Sequence, residues 1–139
     1  MEPAHPARIS DEGKPPVDGP LKNHFDGAVY VLIDGGSFSA AADFPATAAF
    51  HKRATFIGEE TGGAAEGNNS GPEIVLTLPE SQLHIGIPIY KYFNAVDKRE
   101  QHRGTLPTYA VTQSIEDLEK GRDTVLEFTR ELIRSGKGH

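Results

Sequence analysis

The chain predicts an α/β fold, and three observations carry that prediction. Val29-Tyr30-Val31-Leu32-Ile33 is an unbroken run of β-formers that passes through Asp34, Gly35 and Gly36 into an alanine-rich stretch ending near His51. A second short apolar run, Ala54-Thr55-Phe56-Ile57, follows directly. Thr124 to Arg134 then places Val125, Phe128, Leu132 and Ile133 at helical spacing. Strand, helix and strand within about 30 residues make a βαβ unit, whose crossover sets the two strands parallel and side by side.

Each element follows from its residues. Positions 1 to 24 contain Pro3, Pro6, Pro15, Pro16 and Pro20 with few large apolar side chains. Such a segment buries too little surface to offset its ordering entropy, so 1–24 reads as a flexible or extended lead-in to a domain over 25–135. Gly27 to Ile33 has no apolar–polar alternation, the mark of a strand buried on both faces. Ala40 to about His51 reads as a helix in which Pro45 allows two outcomes. A helix starting at Ala40 puts Pro45 in its interior, whereas an Asp43 cap puts it harmlessly in the first turn. Ala54 to Ile57 is a strand closed by Gly58, followed by a glycine-rich loop from Glu59 to Pro72. Loops of that length in compact domains are functional or mobile. Residues 73–78 and 83–90 form a hairpin around Pro79-Glu80-Ser81-Gln82. Tyr90, Tyr92 and Phe93 belong in the core or along a groove, with the core favoured. Beyond a charged loop from Asp97 to Gly104, Leu106 to Val111 is a last strand. Ser114 opens a capped helical segment with Asp117 three residues on, and Gly136 closes the final helix.

The whole-chain properties exclude several classes. A length of 139 residues fits one domain with a real core. A net charge of −6 without any basic run argues against nucleic-acid binding. No apolar run approaches the roughly 20 residues that span a bilayer. The chain has no cysteine, which removes disulfides, thiolate metal sites and a cysteine nucleophile. No His, Asp and Glu spacing suggests a metal, and no Gly-Lys-Ser/Thr follows the glycine loop, so neither a metal nor another cofactor is expected.

The chemistry concentrates at Asp34-Gly35-Gly36-Ser37-Phe38-Ser39-Ala40. A strand end fixes the serine, glycines allow a sharp turn, and a following helix aims its amides and positive end at the site. Ser39 is therefore a candidate nucleophile, against the plainer role of Ser37 or Ser39 as a helix cap. A hydroxyl nucleophile needs a base. Of the six histidines, His5 and His139 are terminal, His24 lies in the lead-in, His51 falls at a helix C-terminus and His84 on a strand. That leaves His102 as the one candidate base within the chain. Glu59 and Glu60 could hold a substrate amine or be a solvated acidic loop, with the solvated loop favoured. Gly62 and Gly63 could admit a peptide backbone or simply be loop glycines.

Four segments carry a further signal: Tyr30-Val-Leu-Ile-Asp-Gly-Gly-Ser-Phe-Ser-Ala-Ala-Ala-Asp-Phe44, Lys52-Arg-Ala-Thr-Phe-Ile-Gly-Glu-Glu-Thr-Gly-Gly63, Ile87-Pro-Ile-Tyr90 and Arg103-Gly-Thr-Leu-Pro-Thr-Tyr-Ala-Val111. Their order and spacing, across roughly residues 27 to 133, resemble the tail-specific (C-terminal processing) serine protease family. The resemblance implies a crotonase-like α/β fold of stacked βαβ units, present here as a partial catalytic domain with a mixed sheet and a C-terminal helix. It implies Ser39 as nucleophile, the second serine of a Ser-x-Ser-Ala motif, with the Ala40 amide donating to the oxyanion and Ser37 structural. Thr61-Gly62-Gly63-Ala64 has alanine where one branch carries its catalytic lysine, which points away from a Ser-Lys dyad. Gly-Glu-Glu-Thr-Gly-Gly is more similar to the tricorn-core branch, which pairs serine with a histidine and a glutamate. There the acid falls before the closing motif, at Glu100 or at Asp97. The histidine and a second oxyanion donor come from an upstream segment not present in this sequence. Thr108 stands where the family has an aspartate after the closing proline.

The implied activity is hydrolysis of a peptide or protein substrate through an acyl-enzyme at Ser39, slow or absent in this chain alone. The competing expectation is a non-catalytic ligand- or peptide-binding module that keeps the fold, as retinoid-binding relatives of the family do. Open parallel strand edges predict homo-oligomers. The resemblance implies a periplasmic or secreted, bacterial-type setting; the residues themselves fix no compartment.

Overall fold

A computed structural model describes residues 22–96 and 102–136. The elements run β1 (Tyr30–Ile33), α1 (Ala40–Phe50), β2 (Thr55–Gly58), β3 (Glu73–Thr77), β4 (His84–Pro88), β5 (Tyr109–Ala110), α2 (Ile115–Glu119) and α3 (Thr124–Arg134). The β1–α1–β2 unit is the βαβ crossover that the apolar runs predict, with Tyr30 opposite Thr55 and Ile33 opposite Gly58 in a parallel pair. β5 joins on the far side of β2, also parallel, giving the order β1-β2-β5.

The core lies on the middle strand. Ile57 is 0% exposed, and Phe56 packs with Ile33 and Ala48 of α1. α3 lies against β1 and β2 and buries Leu132, while Phe128 meets Tyr109 with ring centroids 5.9 Å apart. Its first turn is capped by Asp123, which accepts from the Leu126 amide at 2.8 Å. Ser114 caps α2 in the same way, through the Asp117 amide at 3.0 Å.

Two expectations change, and one open alternative is decided. β1 is not buried on both faces: Leu32 is 39% exposed, and among the described residues β1 pairs with β2 alone, as an edge strand. The last strand is shorter than Leu106–Val111, because Pro107 has no amide to donate. Bonds to β2 begin at Thr108, whose amide reaches Phe56 O at 2.7 Å, and end at Val111, whose amide reaches Gly58 O at 2.9 Å. α1 starts at Ala40, so Pro45 lies inside the helix, removes the bond its amide would have given to the Ala41 carbonyl, and is nearly fully buried.

β3 and β4 form the expected antiparallel hairpin, Thr77 opposite His84, closed by the Leu78 amide on Leu83 O at 2.9 Å. Every residue of both strands is exposed, including Ile74, Val75, Leu76, Ile85 and Ile87.

One buried group is unmatched among the described residues. The Thr105 amide and carbonyl both bond Thr61, but its hydroxyl has no partner. Thr105→Val deletes that desolvated hydroxyl at nearly constant volume. It should stabilise the fold by about 1 kcal/mol and raise Tm by roughly 3–4 °C, measured by calorimetry.

Candidate active site

The Ser39 turn is assembled in two steps. Asp34 first closes a local turn: its Oδ1 accepts from the Gly36 amide at 2.9 Å and from the Ser37 hydroxyl at 3.1 Å, and its carbonyl accepts from the Ser37 amide at 3.0 Å. Ser37 is therefore committed to holding the loop. The chain then reverses over Phe38–Ala41, with the Ala41 amide on Phe38 O at 3.0 Å and Ser39 at φ 52°, ψ −127°. These are the angles of the second residue of a type II′ turn, a position dominated by glycine. Holding a serine there costs on the order of 1–3 kcal/mol.

Strain of that size at a residue free to be glycine calls for a reason in its side chain. Ser39 stands at the N-cap of α1 yet makes no capping hydrogen bond, and its side chain is exposed. The capping role is thus not the one it plays. Its carbonyl accepts from the amides of Ala42 at 2.8 Å and Asp43 at 2.9 Å, which starts the helix. The Ala40 amide has no partner among the described residues and stands at the positive end of α1.

The loop after β2 supports this turn from beneath. The Gly63 amide donates to Ser37 O at 3.0 Å, and a Cβ on Gly63 would stand 2.6 Å from Ala42 Cβ. A Cβ on Gly62 would collide with the Gly35 carbonyl. The two glycines therefore serve close approach of the protein's own backbone to the Ser39 turn. Thr61, buried, bonds its hydroxyl to Gly63 O at 2.9 Å and ties this loop to Thr105. Beside it Glu60 grips Arg103 with both oxygens, at 2.9 and 2.8 Å, and takes the Gly104 amide at 2.8 Å. Glu60 is thus a clasp, in place of the solvated carboxylate expected.

The Arg103 hydrogen bonds, helped by the Gly104 amide, lower the Glu60 pKa from 4.5 to about 2. A carboxyl whose folded pKa lies below its unfolded value contributes stability above the unfolded value and loses it as pH falls toward the folded one. Tm should therefore decline from about pH 4.5 toward pH 2 with a component that Glu60→Gln removes, read by circular dichroism melts across that range.

Beside Ser39 lies a cleft of about 380 Å³, lined by Ser39, Ala40, Asp43, Asn68, Ser70, Tyr92, Phe93 and Asn94. Asp43 stands one helical turn after Ser39. Its Oδ2 accepts from Asn68 Nδ2 at 2.8 Å and its Oδ1 from Asn94 Nδ2 at 3.0 Å, so a single carboxylate joins helix, glycine loop and the segment after the hairpin. Tyr92 and Phe93 are 43% and 61% exposed, and Tyr90 is exposed too; these aromatics line the groove or face solvent, and the core expected for them is wrong. Their segment is extended alongside loop residues 66–68, bonding Glu66 and Asn68 through the backbone, and belongs to neither sheet.

Of the residues singled out from sequence, Ser39 and Ala40 come together on the cleft. Glu100 and Asp97, with His5 and His139, lie outside the described residues. His102 Nδ1 is 3.8 Å from Glu66, which the Lys91 hydrogen bond at 2.8 Å holds below the usual carboxylate range. His102 does not line the cleft. His51 caps the end of α1 against the Phe50 ring, with centroids 5.0 Å apart. His84 bonds the Thr77 hydroxyl at 2.9 Å, and His24 meets Asp26 at 2.7 Å. Thr108 accepts from the Phe56 amide on its hydroxyl at 3.3 Å. Asp43 was missed; its signal was the one-turn offset from Ser39.

A serine at a strand-to-helix elbow beside a cleft is an arrangement found in hydrolytic enzymes. The chain matches the family model described as peptidase family S41 over residues 4–111, and it belongs to that family. The expected and matching families agree; the class is that of peptidases, with peptides or proteins as substrates. No curated protein matched the chain. Among the described residues no helix is long and apolar enough to cross a membrane, and no cluster of His, Asp and Glu could hold a metal ion.

Proposed function

We propose that the chain carries the nucleophile of a serine-type, tail-specific peptidase on a crotonase-like framework. The observation that carries this reading is the strained Ser39 backbone with an uncommitted side chain on the rim of the cleft. In the proposed reaction the Ser39 hydroxyl gives its proton to the base as Oγ adds to the scissile carbonyl carbon, and that base later returns the proton to the leaving amine. The oxygen becomes an oxyanion that accepts from the Ala40 amide, a donor worth about 3 kcal/mol of barrier in hydrolases of this kind. Collapse expels the amine, which takes up a proton, and leaves an ester that water cleaves. Glu100 is assigned as the acid that orients the base.

The cleft lining offers a carboxylate, carboxamides and rings, with no histidine or lysine among the described residues. That composition supports treating this chain as an incomplete catalytic unit whose base and second oxyanion donor lie in further sequence. It equally supports the second reading, a peptide-binding module that keeps the fold.

A fluorophosphonate probe with peptide mapping separates the two readings. The enzyme reading expects slow labelling confined to Ser39 and lost in Ser39→Ala. No labelling, even in a chain extended upstream, overturns the acyl-enzyme and leaves the binding module.

A further inference from the structure

We propose that the cleft beside Ser39 holds a cationic group of a peptide, a lysine or arginine side chain or a free α-amino terminus, on the Asp43 carboxylate. The proposal rests on the peptidase reading for its place next to the scissile bond, and it names the substrate chemistry of that site.

The argument is one of charge matching. Three carboxylates of the described residues are visibly neutralised: Glu60 by Arg103, Glu66 by Lys91 and Asp117 by Arg122. Glu60, raised from sequence as a candidate for a substrate amine, is therefore already engaged. Asp43 differs. Its oxygens meet only the neutral carboxamides of Asn68 and Asn94, and no Lys, Arg or His pairs with it among the described residues. A carboxylate offers about four acceptor positions, so two amide donors orient it and leave capacity for a further donor. Neutral donors also leave its charge in place. The positive end of α1 offsets part of that charge, but the effect fades within the first turn, and Asp43 is the fourth residue of α1.

The surroundings suit a cation. Tyr92 and Phe93 add ring surface to the cleft, and an ammonium or guanidinium is attracted to such faces. Lys91 Nζ already sits 4.9 Å from the Phe93 centroid, with its own charge met by Glu66 at 2.8 Å. An apolar substrate side chain would desolvate Asp43 without replacing the lost water, which disfavours it; a cationic one restores those bonds as charge-assisted ones.

Equilibrium binding to the full chain carrying Ser39→Ala tests this by fluorescence anisotropy. Matched peptides would differ only in lysine against norleucine, arginine against citrulline, and free against acetylated N-terminus. A cationic peptide should bind about tenfold tighter than its neutral partner at low salt, and the ratio should shrink toward unity at 1 M salt. The arm showing the ratio identifies whether side chain or terminus is the ligand. Asp43→Asn should abolish the ratio and Asp43→Glu should keep part of it. Because the peptide pairs alone test charge, the result stands even if a variant disturbs Asn68 and Asn94. Equal affinities in every pair, no binding of any peptide, or a ratio that persists in Asp43→Asn overturns the proposal. Ser39 labelling without charge preference sinks this proposal and spares the nucleophile; charge preference without labelling does the reverse.

Discussion

Ser39→Gly should melt higher than Ser39→Ala by roughly 3–4 °C, while neither variant reacts with fluorophosphonate. Both lose the hydroxyl, so the chemical loss is complete in each. They differ at the backbone, where alanine keeps the Cβ that makes φ 52°, ψ −127° costly and glycine does not. Relief of 1–3 kcal/mol is partly offset by the extra freedom glycine has in the unfolded chain, leaving about 1 kcal/mol. Calorimetry reads the difference. Equal melting temperatures would mean that the strain relieved only matches the entropy glycine adds to the unfolded chain, below the 1–3 kcal/mol argued for this turn, and the main argument for a reactive side chain at this position would weaken accordingly.

The second large effect is predicted away from the nucleophile. Gly62→Ala should lose about 2–3 kcal/mol and roughly 8 °C in Tm, and slow any labelling of Ser39. The added methyl would collide with the Gly35 carbonyl and stand 2.6 Å from Phe38 Cζ, and both partners belong to the turn that presents Ser39. Relief requires moving the turn or the loop from Thr61 to Gly63, which Thr61 and Glu60 fasten to Arg103–Thr105. Gly35→Ala is the control: nothing lies within 4 Å of its added methyl, so it should leave both readouts near those of the native chain. If Gly62→Ala behaves like Gly35→Ala, the glycine pair does not support the site as described.

Legibility in the sequence followed the range of the interaction. β1, α1 and β2 were readable because an unbroken apolar run, an alanine-rich segment and a second run are each local patterns, and a βαβ crossover then dictates parallel pairing. Ser114 announces a helix through a contact three residues long. Ser39 was readable as a candidate for the same reason, since the strand, the glycines and the helix start adjoin it. Pairings across the fold were not. Glu60 is only one acidic residue of a loop until Arg103 arrives from 43 positions away. Tyr92 and Phe93 have core-type side chains, and nothing local says that their segment binds the glycine loop instead of joining the sheet. The exposure of Leu32 in β1 is not legible because an apolar run does not say which of its faces another layer covers. Pro45 allowed two registers, and only the turn at Ser39 decides between them.

The cleft has two unlike sides. One is the opening of α1, anchored by buried Ala42, Pro45 and Ala46. The other is a ribbon, its rungs set by Glu66 with Asn94, Asn68 with Tyr92, and Pro72 with Ile89, that starts where Ala65 bonds Arg103 and continues into the exposed hairpin. Asp43 staples the ribbon to the helix through two carboxamides. The two walls of the cleft are thus joined to each other by one aspartate, so whatever that aspartate grips bears on both walls at once.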